Sequence, residues 1–190
     1  MSRSGYSDDY EDDPLAAGRW RGAVRSAING KRGQTFLREL AAALDAMPEK
    51  ELAAHSFKTE DGEFCTLGVI ANARGIDVSG LDPDDNCSRP ASRLLGIARA
   101  LAAEIMYEND EAVDDWKYVD VVICGPMRRW ERHVQSVRVP NEHAAVMRWQ
   151  YMRNWVDEHL IANSRASGAA SEGAGLLISA AAALQGKQNG

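Results

Sequence analysis

Apolar side chains recur at helical spacing along most of the chain, and the pattern predicts a mainly helical protein. Trp20, Val24 and Ile28 lie at i, i+4 and i+8, so they share one side of a helix that ends at Asn29-Gly30. A second helix is predicted over 35–47, where four apolar side chains form a stripe at i, i+3, i+7 and i+10. Pro48 ends it, because proline disfavours a helical conformation in the residue before it.

The segment 61–75 combines a polar turn, a cysteine and an apolar run closed by glycine. Its turn predicts a short β-hairpin that pairs 53–58 with 63–66. Its apolar run predicts a helix over 65–74, with Gly75 as the residue that terminates it. We interpret the whole segment as a signature of packing rather than of catalysis.

A longer helix is predicted over 90–109, after a loop at 76–90. Its apolar residues form one stripe and a flanking row: Leu94, Ala98, Leu101 and Ile105, with Leu95, Ala102 and Met106 beside them. The acidic residues of 108–111, together with Asp114 and Asp115, are interpreted as solvated carboxylates.

β-Branched and aromatic residues predict a strand over 116–126. Its predicted partner is 137–139, with a short helix over 127–135 between them. A last helix is predicted from Asn141, as the N-cap, to about residue 162. Trp149 fits its buried stripe, whereas Trp155 and Trp130 are interpreted as candidate surface anchors.

We expect one globular domain over 19–163. The acidic segment 1–18 has few aliphatic residues and is predicted to be flexible. The tail 164–190 is rich in Ala, Ser and Gly and resembles a linker, although residues 176–184 can form a terminal helix that pairs with a second copy of the chain. The predicted fold class is α+β and mainly helical, with four or five helices packed around a small β-hairpin.

Composition is typical of a globular protein, with 45% hydrophobic and 26% charged residues among 190. The net charge of −6 argues against a protein that coats nucleic acid along its whole surface. An odd number of cysteines and the absence of an apolar leader favour a reducing compartment, and no apolar run is long enough to span a membrane. We therefore expect a cytoplasmic protein.

Candidate catalytic chemistry is sparse. Cys65 and His55 form the only arrangement that suggests a thiol nucleophile, and a hairpin would bring them together. Cys65 nevertheless lies between Phe64 and Leu67, so a buried structural cysteine is the preferred interpretation. The cysteines and histidines lack the spacing of a zinc site, and no phosphate-binding glycine loop is present. We predict no cofactor, no metal and no catalytic residues.

Two clusters combine basic and aromatic residues and are the better candidates for a binding site. The first lies within 19–38, which contains no acidic residue. The second lies within 128–132. The predicted binding residues are Arg19, Trp20, Arg21, Arg25, Lys31, Arg32, Arg128, Arg129, Trp130 and Arg132. Such mixtures bind phosphates, but each also fits a polar helix face opposite a buried aromatic residue.

Five motifs resemble those of a group of small proteins encoded by tailed phages and prophages. They are Arg19-Trp20-Arg21, Ile28 to Gln34, Asp61 to Val69, Tyr107 to Glu111, and the run from Arg148 to Val156. The most recognisable are the Gly-x-x-Cys-x-Leu-Gly-Val element at 62–69 and the Asn-Asp-Glu triplet at 109–111. The resemblance covers about 19–111 and 138–160, while 112–138 and the tail depart from it. It implies a phage origin and a site of action in the host cytoplasm, and it supplies no catalytic residues.

From these observations we expect a non-enzymatic accessory protein that binds a host or phage macromolecule, with counter-defence as one role. A host or phage protein is the expected partner. The alternatives are a nucleic-acid-binding protein that uses the basic helix of 19–38, a minor virion component, and a small hydrolase built on Cys65 and His55.

Overall fold

Six helices and one pair of antiparallel strands make up the described part of the chain, which in this computed structural model comprises Ser4 and residues 14–81, 87–123 and 133–162. The elements are α1 (Pro14–Asn29), α2 (Lys31–Ala46), α3 (Thr66–Ala73), α4 (Ser88–Leu95), α5 (Arg99–Glu111), β1 (Trp116–Ile123), β2 (His133–Pro140) and α6 (Ala144–His159). The fold is mainly helical α+β, which confirms the predicted class.

All of these elements belong to one unit, Met1–Leu160, and of the second unit, Ile161–Gly190, the structure describes the first two residues. α1 begins at Pro14, so the end of the segment 1–18 is helical. The predictions for the tail and its terminal helix at 176–184 fall outside the described residues.

The hydrophobic core forms around α2 and α5. α2 contacts α1, α3 and α6, while α5 contacts α1, α3, α4 and α6. Val24 and Ile28 of α1 are buried, and so are the leucines of the α2 stripe, which confirms both stripes. Core side chains that are fully enclosed include Leu37, Leu40, Leu44, Leu101, Ile105, Met152 and Val156. None of the described helices has the length and hydropathy of a membrane-spanning segment.

The helix predicted over 90–109 is two helices, α4 and α5, separated at Gly96. Gly96 is left-handed with φ of 68°, and its amide donates to the Ser92 carbonyl, which closes α4. The apolar stripe is therefore interrupted. Leu94 is 45% exposed, whereas Leu101 beyond the break is fully buried.

Residues 53–66 form the predicted hairpin in a minimal form, because the pairing of its two segments is limited to one bridge. A single antiparallel bridge joins Lys58 with Phe64, and the Ala53 amide donates to the Phe64 carbonyl at 3.0 Å. His55 has a left-handed backbone with φ of 57°, which breaks the extended run that a strand requires. The two segments therefore lie side by side without a ladder.

α3 packs directly onto the backbone of this hairpin, and Gly68 makes the close approach possible. A Cβ atom on Gly68 would lie 2.0 Å from the carbonyl oxygen of Phe57, far inside van der Waals contact. Cys65, the N-cap residue of α3, is 1% exposed, and its amide donates to the same carbonyl at 3.3 Å. Gly75 follows the helix with φ of 67°, as predicted. The Gly-x-x-Cys-x-Leu-Gly-Val element is thus a packing device.

β1 and β2 form an antiparallel ribbon that pairs Trp116 with Pro140 and Ile123 with His133. The predicted strand over 116–126 is confirmed as far as Ile123. β2 is longer than the predicted partner 137–139. Its first residues are extended where the short helix over 127–135 was predicted to end, so that prediction is wrong for 133–135.

Both faces of this ribbon are open to solvent. Apolar side chains more than a third exposed are Trp116, Tyr118, Val119, Val121, Val122, Val134 and Val137. The Arg138 guanidinium lies 4.6 Å from the centre of the Trp116 ring. At the base of the ribbon, the Asn141 amide donates to the Asp115 carbonyl at 2.8 Å. Two strands alone are marginally stable in water, so this ribbon is a candidate for contact with another molecule.

α6 is shorter than predicted and buries a wider arc. It begins at Ala144, whose amide donates to the Asn141 carbonyl at 3.0 Å, so Asn141 lies in a turn before the helix and is not its N-cap. Trp155 is 6% exposed and belongs to the core. The prediction of Trp155 as a surface anchor is therefore wrong, because α6 contacts both α2 and α5.

Candidate binding surface and interior polar network

The basic segment, defined here as residues 19–38, presents all its charged side chains to solvent. They are Arg19, Arg21, Arg25, Lys31, Arg32 and Arg38, and each is exposed. Arg21 and Arg25 are one turn apart on α1 and therefore share a side of that helix. Neither of them, nor Lys31, forms an ion pair with a described residue. Exposed cations without carboxylate partners attract polyanions.

A tight corner between α1 and α2 holds this segment in place. A Cβ atom on Gly33 would lie 1.9 Å from the Ala27 carbonyl oxygen, so the first turn of α2 is pressed against the end of α1. Gln34 is 5% exposed, and its Nε2 donates to the carbonyls of Ile28 at 3.0 Å and His159 at 2.8 Å. These bonds tie the ends of α1 and α6 to α2, and the basic segment is consequently carried by packed helices.

A cavity of about 290 Å³ opens beside the first turn of α2. Lys31 and Arg32 line it from α2, Arg74 from the end of α3, and Gly96 from the α4–α5 link. Nη2 of Arg32 donates to the Gly96 carbonyl at 2.7 Å. The cavity therefore combines three cationic side chains, one of which sequence reasoning did not connect with the basic segment.

Arg74 is held on several sides. Its Nη1 donates to the Leu95 carbonyl at 2.8 Å, its Nε donates to the Glu39 carboxylate at 3.1 Å, and its guanidinium carbon lies 5.3 Å from the centre of the Phe36 ring. These contacts fix the head group at the rim of the cavity.

The two predicted basic and aromatic clusters have different outcomes. In the first, Trp20 is half-buried and packs α1 against the hydrophobic core, while the neighbouring arginines are exposed. The second cluster lies outside the described residues; its members are Arg128, Arg129, Trp130 and Arg132.

An interior network surrounds Arg148, whose side chain is 2% exposed in the middle of α6. Its Nε donates to the Asn109 carbonyl and its Nη1 to the Leu52 carbonyl, both at 2.9 Å. Its Nη2 reaches the Val113 carbonyl at 3.4 Å and the Asp115 carboxylate at 2.5 Å. Arg148 therefore joins α6 to the end of α5 and to the connection after α2.

Asn109 is the second hub, and it is fully buried. Its side-chain oxygen accepts from the amide of Thr66 at 3.0 Å and from its hydroxyl at 2.7 Å. Its Nδ2 donates to the Ala53 carbonyl at 3.0 Å and to Asp110 at 2.8 Å. All four hydrogen-bonding positions of the amide are thus used. Asp110 is itself 5% exposed, so its interpretation as a solvated carboxylate is wrong.

His55 lies at the solvent end of this network, with 66% of its side chain exposed. Its Nδ1 is 3.9 Å from Asp110 and its Nε2 is 3.6 Å from Asp115, distances that suit ion pairing rather than hydrogen bonding. Its backbone amide donates to the Asp110 carboxylate at 3.1 Å. Among the described residues no hydroxyl or thiol is bonded to the imidazole, so this arrangement does not activate a nucleophile.

Cys65 and His55 are not arranged as a catalytic pair. Cys65 is 1% exposed and lies in the hydrophobic core, which confirms its interpretation as a buried structural residue. The neighbours of the His55 ring are carboxylates. Among the described residues, no group of three His, Cys, Asp or Glu side chains has the geometry of a metal site.

Two other side-chain pairs attach α6 to its neighbours. Burial and a 2.5 Å hydrogen bond to Glu108 raise the pKa of Tyr151 to about 12. A hydrogen bond from the Arg153 side chain lowers the pKa of Asp45, and their bonds measure 2.7 and 3.0 Å. Both pairs have a structural role that their environment explains.

No protein-family model, curated protein or solved structure matches this chain. The functional argument therefore depends on the residues and geometry described above.

Sequence reasoning missed the interior network almost completely. The sequence places Asn109 and Asp110 in a motif to which it assigns no structural role, and Arg148 is only the first residue of another motif. One signal was present, because an arginine interrupts the apolar side of α6. A charged residue among buried positions indicates a buried partner.

Proposed function

We propose that this chain is a non-enzymatic accessory protein of phage origin that acts by binding a macromolecule, and that nucleic acid is the partner of its basic segment. The proposed origin rests on the sequence resemblance alone. The proposed partner rests on one observation above others: Arg21, Arg25 and Lys31 are exposed and have no carboxylate partner among the described residues, in a protein whose net charge is −6.

The physical argument is one of uncompensated charge. Here residues 19–38, which span parts of α1 and α2, contain no acidic residue. Phosphate groups along a nucleic acid supply the missing negative charge, and binding then gains from the release of condensed counterions. A packed corner at Gly33 and Gln34 presents the charges without a large ordering cost.

We expect the protein to bind short oligonucleotides with an affinity that falls steeply as salt rises. Replacing Arg21 and Arg25 together with glutamine will weaken binding and reduce the slope of log affinity against log salt by about 1 per residue, because each removes a phosphate contact. Fluorescence anisotropy across a salt series measures both quantities.

The matched control is Lys117→Gln and Arg138→Gln on the ribbon, which removes the same charge from another exposed region. This variant will keep the wild-type slope. Absence of binding at low salt, a flat salt dependence, or equal losses in the two double variants would each contradict the proposal.

A protein partner is the second candidate, because the ribbon exposes apolar side chains on both faces. Capture from host lysate separates the two: a protein partner is retained after nuclease digestion and is lost when Val119 and Val137 are replaced by lysine. Proteomics of purified particles decides whether the chain is a minor virion component.

A further inference from the structure

The cavity beside the first turn of α2 differs from the rest of the basic segment, because it concentrates charge from distant parts of the chain. Arg74 lies 42 positions after Arg32 in the sequence, yet both line the same cavity of about 290 Å³. Part of its wall is apolar and comes from Phe36, Leu95 and Ile97, which are buried. Cationic groups over an apolar floor strengthen electrostatic attraction, since the floor excludes water from one side.

The charges of the cavity are neutralised only in part by the described residues. Arg74 is paired with Glu39, whereas Arg32 bonds only to a carbonyl oxygen and Lys31 has no partner among the described residues. Three cations against one carboxylate leave an excess of two positive charges. A phosphate monoester carries about −1.5 to −2 near pH 7, so it matches this excess, while an internal phosphodiester carries a single charge.

The two arginines are also held ready for an anion. The Gly96 carbonyl accepts a hydrogen bond from Arg32 at 2.7 Å, and the Leu95 carbonyl accepts one from Arg74 at 2.8 Å. These bonds fix the planes of the head groups and leave further N–H donors on Arg32, which has five in all. Fixed donors lose less conformational entropy on binding than mobile side chains do.

We propose that this cavity binds a phosphate monoester through Lys31, Arg32 and Arg74. The inference rests on the proposed function, whose ligand chemistry it makes specific: the site takes a terminal phosphate, either at the end of a nucleic acid or on a mononucleotide. A volume of about 290 Å³ is at the small end of ligand pockets, which suits a phosphate with its sugar. The exposed Thr35 hydroxyl lines the same cavity and supplies a neutral donor.

The test compares three probes on the full chain: inorganic phosphate, adenosine monophosphate, and one oligonucleotide prepared with a 5′-phosphate or a 5′-hydroxyl. We expect the phosphorylated end to bind about tenfold more tightly, the gain typical of a charge-assisted hydrogen bond. Lys31→Gln will remove that difference. Arg21→Gln, which lies outside the cavity, will weaken both oligonucleotides equally and leave the difference intact. Both side chains are exposed, so both variants should fold, which circular dichroism checks.

The outcomes distinguish a free nucleotide from a nucleic-acid end as the ligand. They also distinguish failure of the cavity site from failure of the proposed function. Binding of the mononucleotide without a preference for the phosphorylated end identifies a free nucleotide as the ligand, and the converse identifies a nucleic-acid end. Monoester binding without any oligonucleotide affinity keeps the cavity site and overturns the proposed function. Equal affinity for the two ends, with no saturable response to inorganic phosphate or to the mononucleotide, overturns the cavity site. In that case oligonucleotide binding that depends on Arg21 still supports the proposed function.

Discussion

Replacing Arg148 with methionine will destabilise the fold by about 3 kcal/mol, because a buried guanidinium that bonds three main-chain carbonyls and one partly exposed carboxylate is removed. Methionine fills much of the same space but donates no hydrogen bonds. The carbonyls of Leu52, Asn109 and Val113 lose their donor, and Asp115 loses its counter-ion. Each buried acceptor left without a partner costs about 1–3 kcal/mol, although relaxation and water entry reduce the sum.

Urea unfolding monitored by circular dichroism measures this change. The control is Arg89→Met, an equal substitution at an exposed position of α4, which will change stability by about 0.5 kcal/mol at most. Similar effects of the two substitutions would mean that the guanidinium of Arg148 does not hold the end of α5 and the connection after α2 together.

The second large effect on stability is expected at Gly68 of α3. Gly68→Ala will destabilise the protein by about 3 kcal/mol, at the upper end of typical overpacking costs. The added methyl group would lie 2.0 Å from the Phe57 carbonyl oxygen and 3.2 Å from the Phe64 Cβ atom. Both obstacles belong to the segment that α3 packs against, so the helix must move away from it and the buried surface between them is lost.

Gly22→Ala on α1 is the matched control, because a Cβ atom there meets nothing within 4 Å. Alanine has a higher helix propensity than glycine, so this variant will gain up to about 1 kcal/mol. The same chemical change is therefore expected to alter the free energy of unfolding in opposite directions at the two positions, which thermal or urea unfolding measures. A neutral Gly68→Ala variant would refute the packing role assigned to the Gly-x-x-Cys-x-Leu-Gly-Val element.

The local features of the fold were predictable from the sequence because short-range physics determines them. The stripe of α2 follows from helical periodicity, and the end of α3 at Gly75 follows from the conformational freedom of glycine. The β1 strand follows from its β-branched residues. The break at Gly96 was missed, since a lone glycine within a helical pattern only lowers helix propensity and does not always end a helix.

The long-range features were not predictable in the same way. Arg148 bonds to Leu52, which is 96 positions away, and Asn109 bonds to Ala53 across 56 positions. Periodicity within a helix does not reveal such partners. The left-handed backbone of His55, which interrupts the first segment of the predicted hairpin, is equally invisible to a pattern of apolar residues. The cavity was missed for the same reason, because Arg74 approaches Arg32 only in the folded chain.

These observations place the most recognisable motifs inside the molecule. Gly68 and Cys65 pack α3, while Asn109 and Asp110 satisfy buried polar groups. Because these motif side chains are buried, they cannot contact a partner molecule. We therefore look for function on the exposed basic segment. Its Arg21, Arg25 and Lys31 side chains form no ion pair with any described residue.

The central claim is that the buried motifs stabilise the fold while the exposed basic segment binds the ligand. Amide chemical-shift mapping by NMR during titration with a 5′-phosphorylated oligonucleotide tests it most directly. The account predicts saturable shifts along 19–38 and at Arg74 and Gly96, with little change over 62–69. Shifts centred on His55 and 62–69, with the basic segment unchanged, would contradict it.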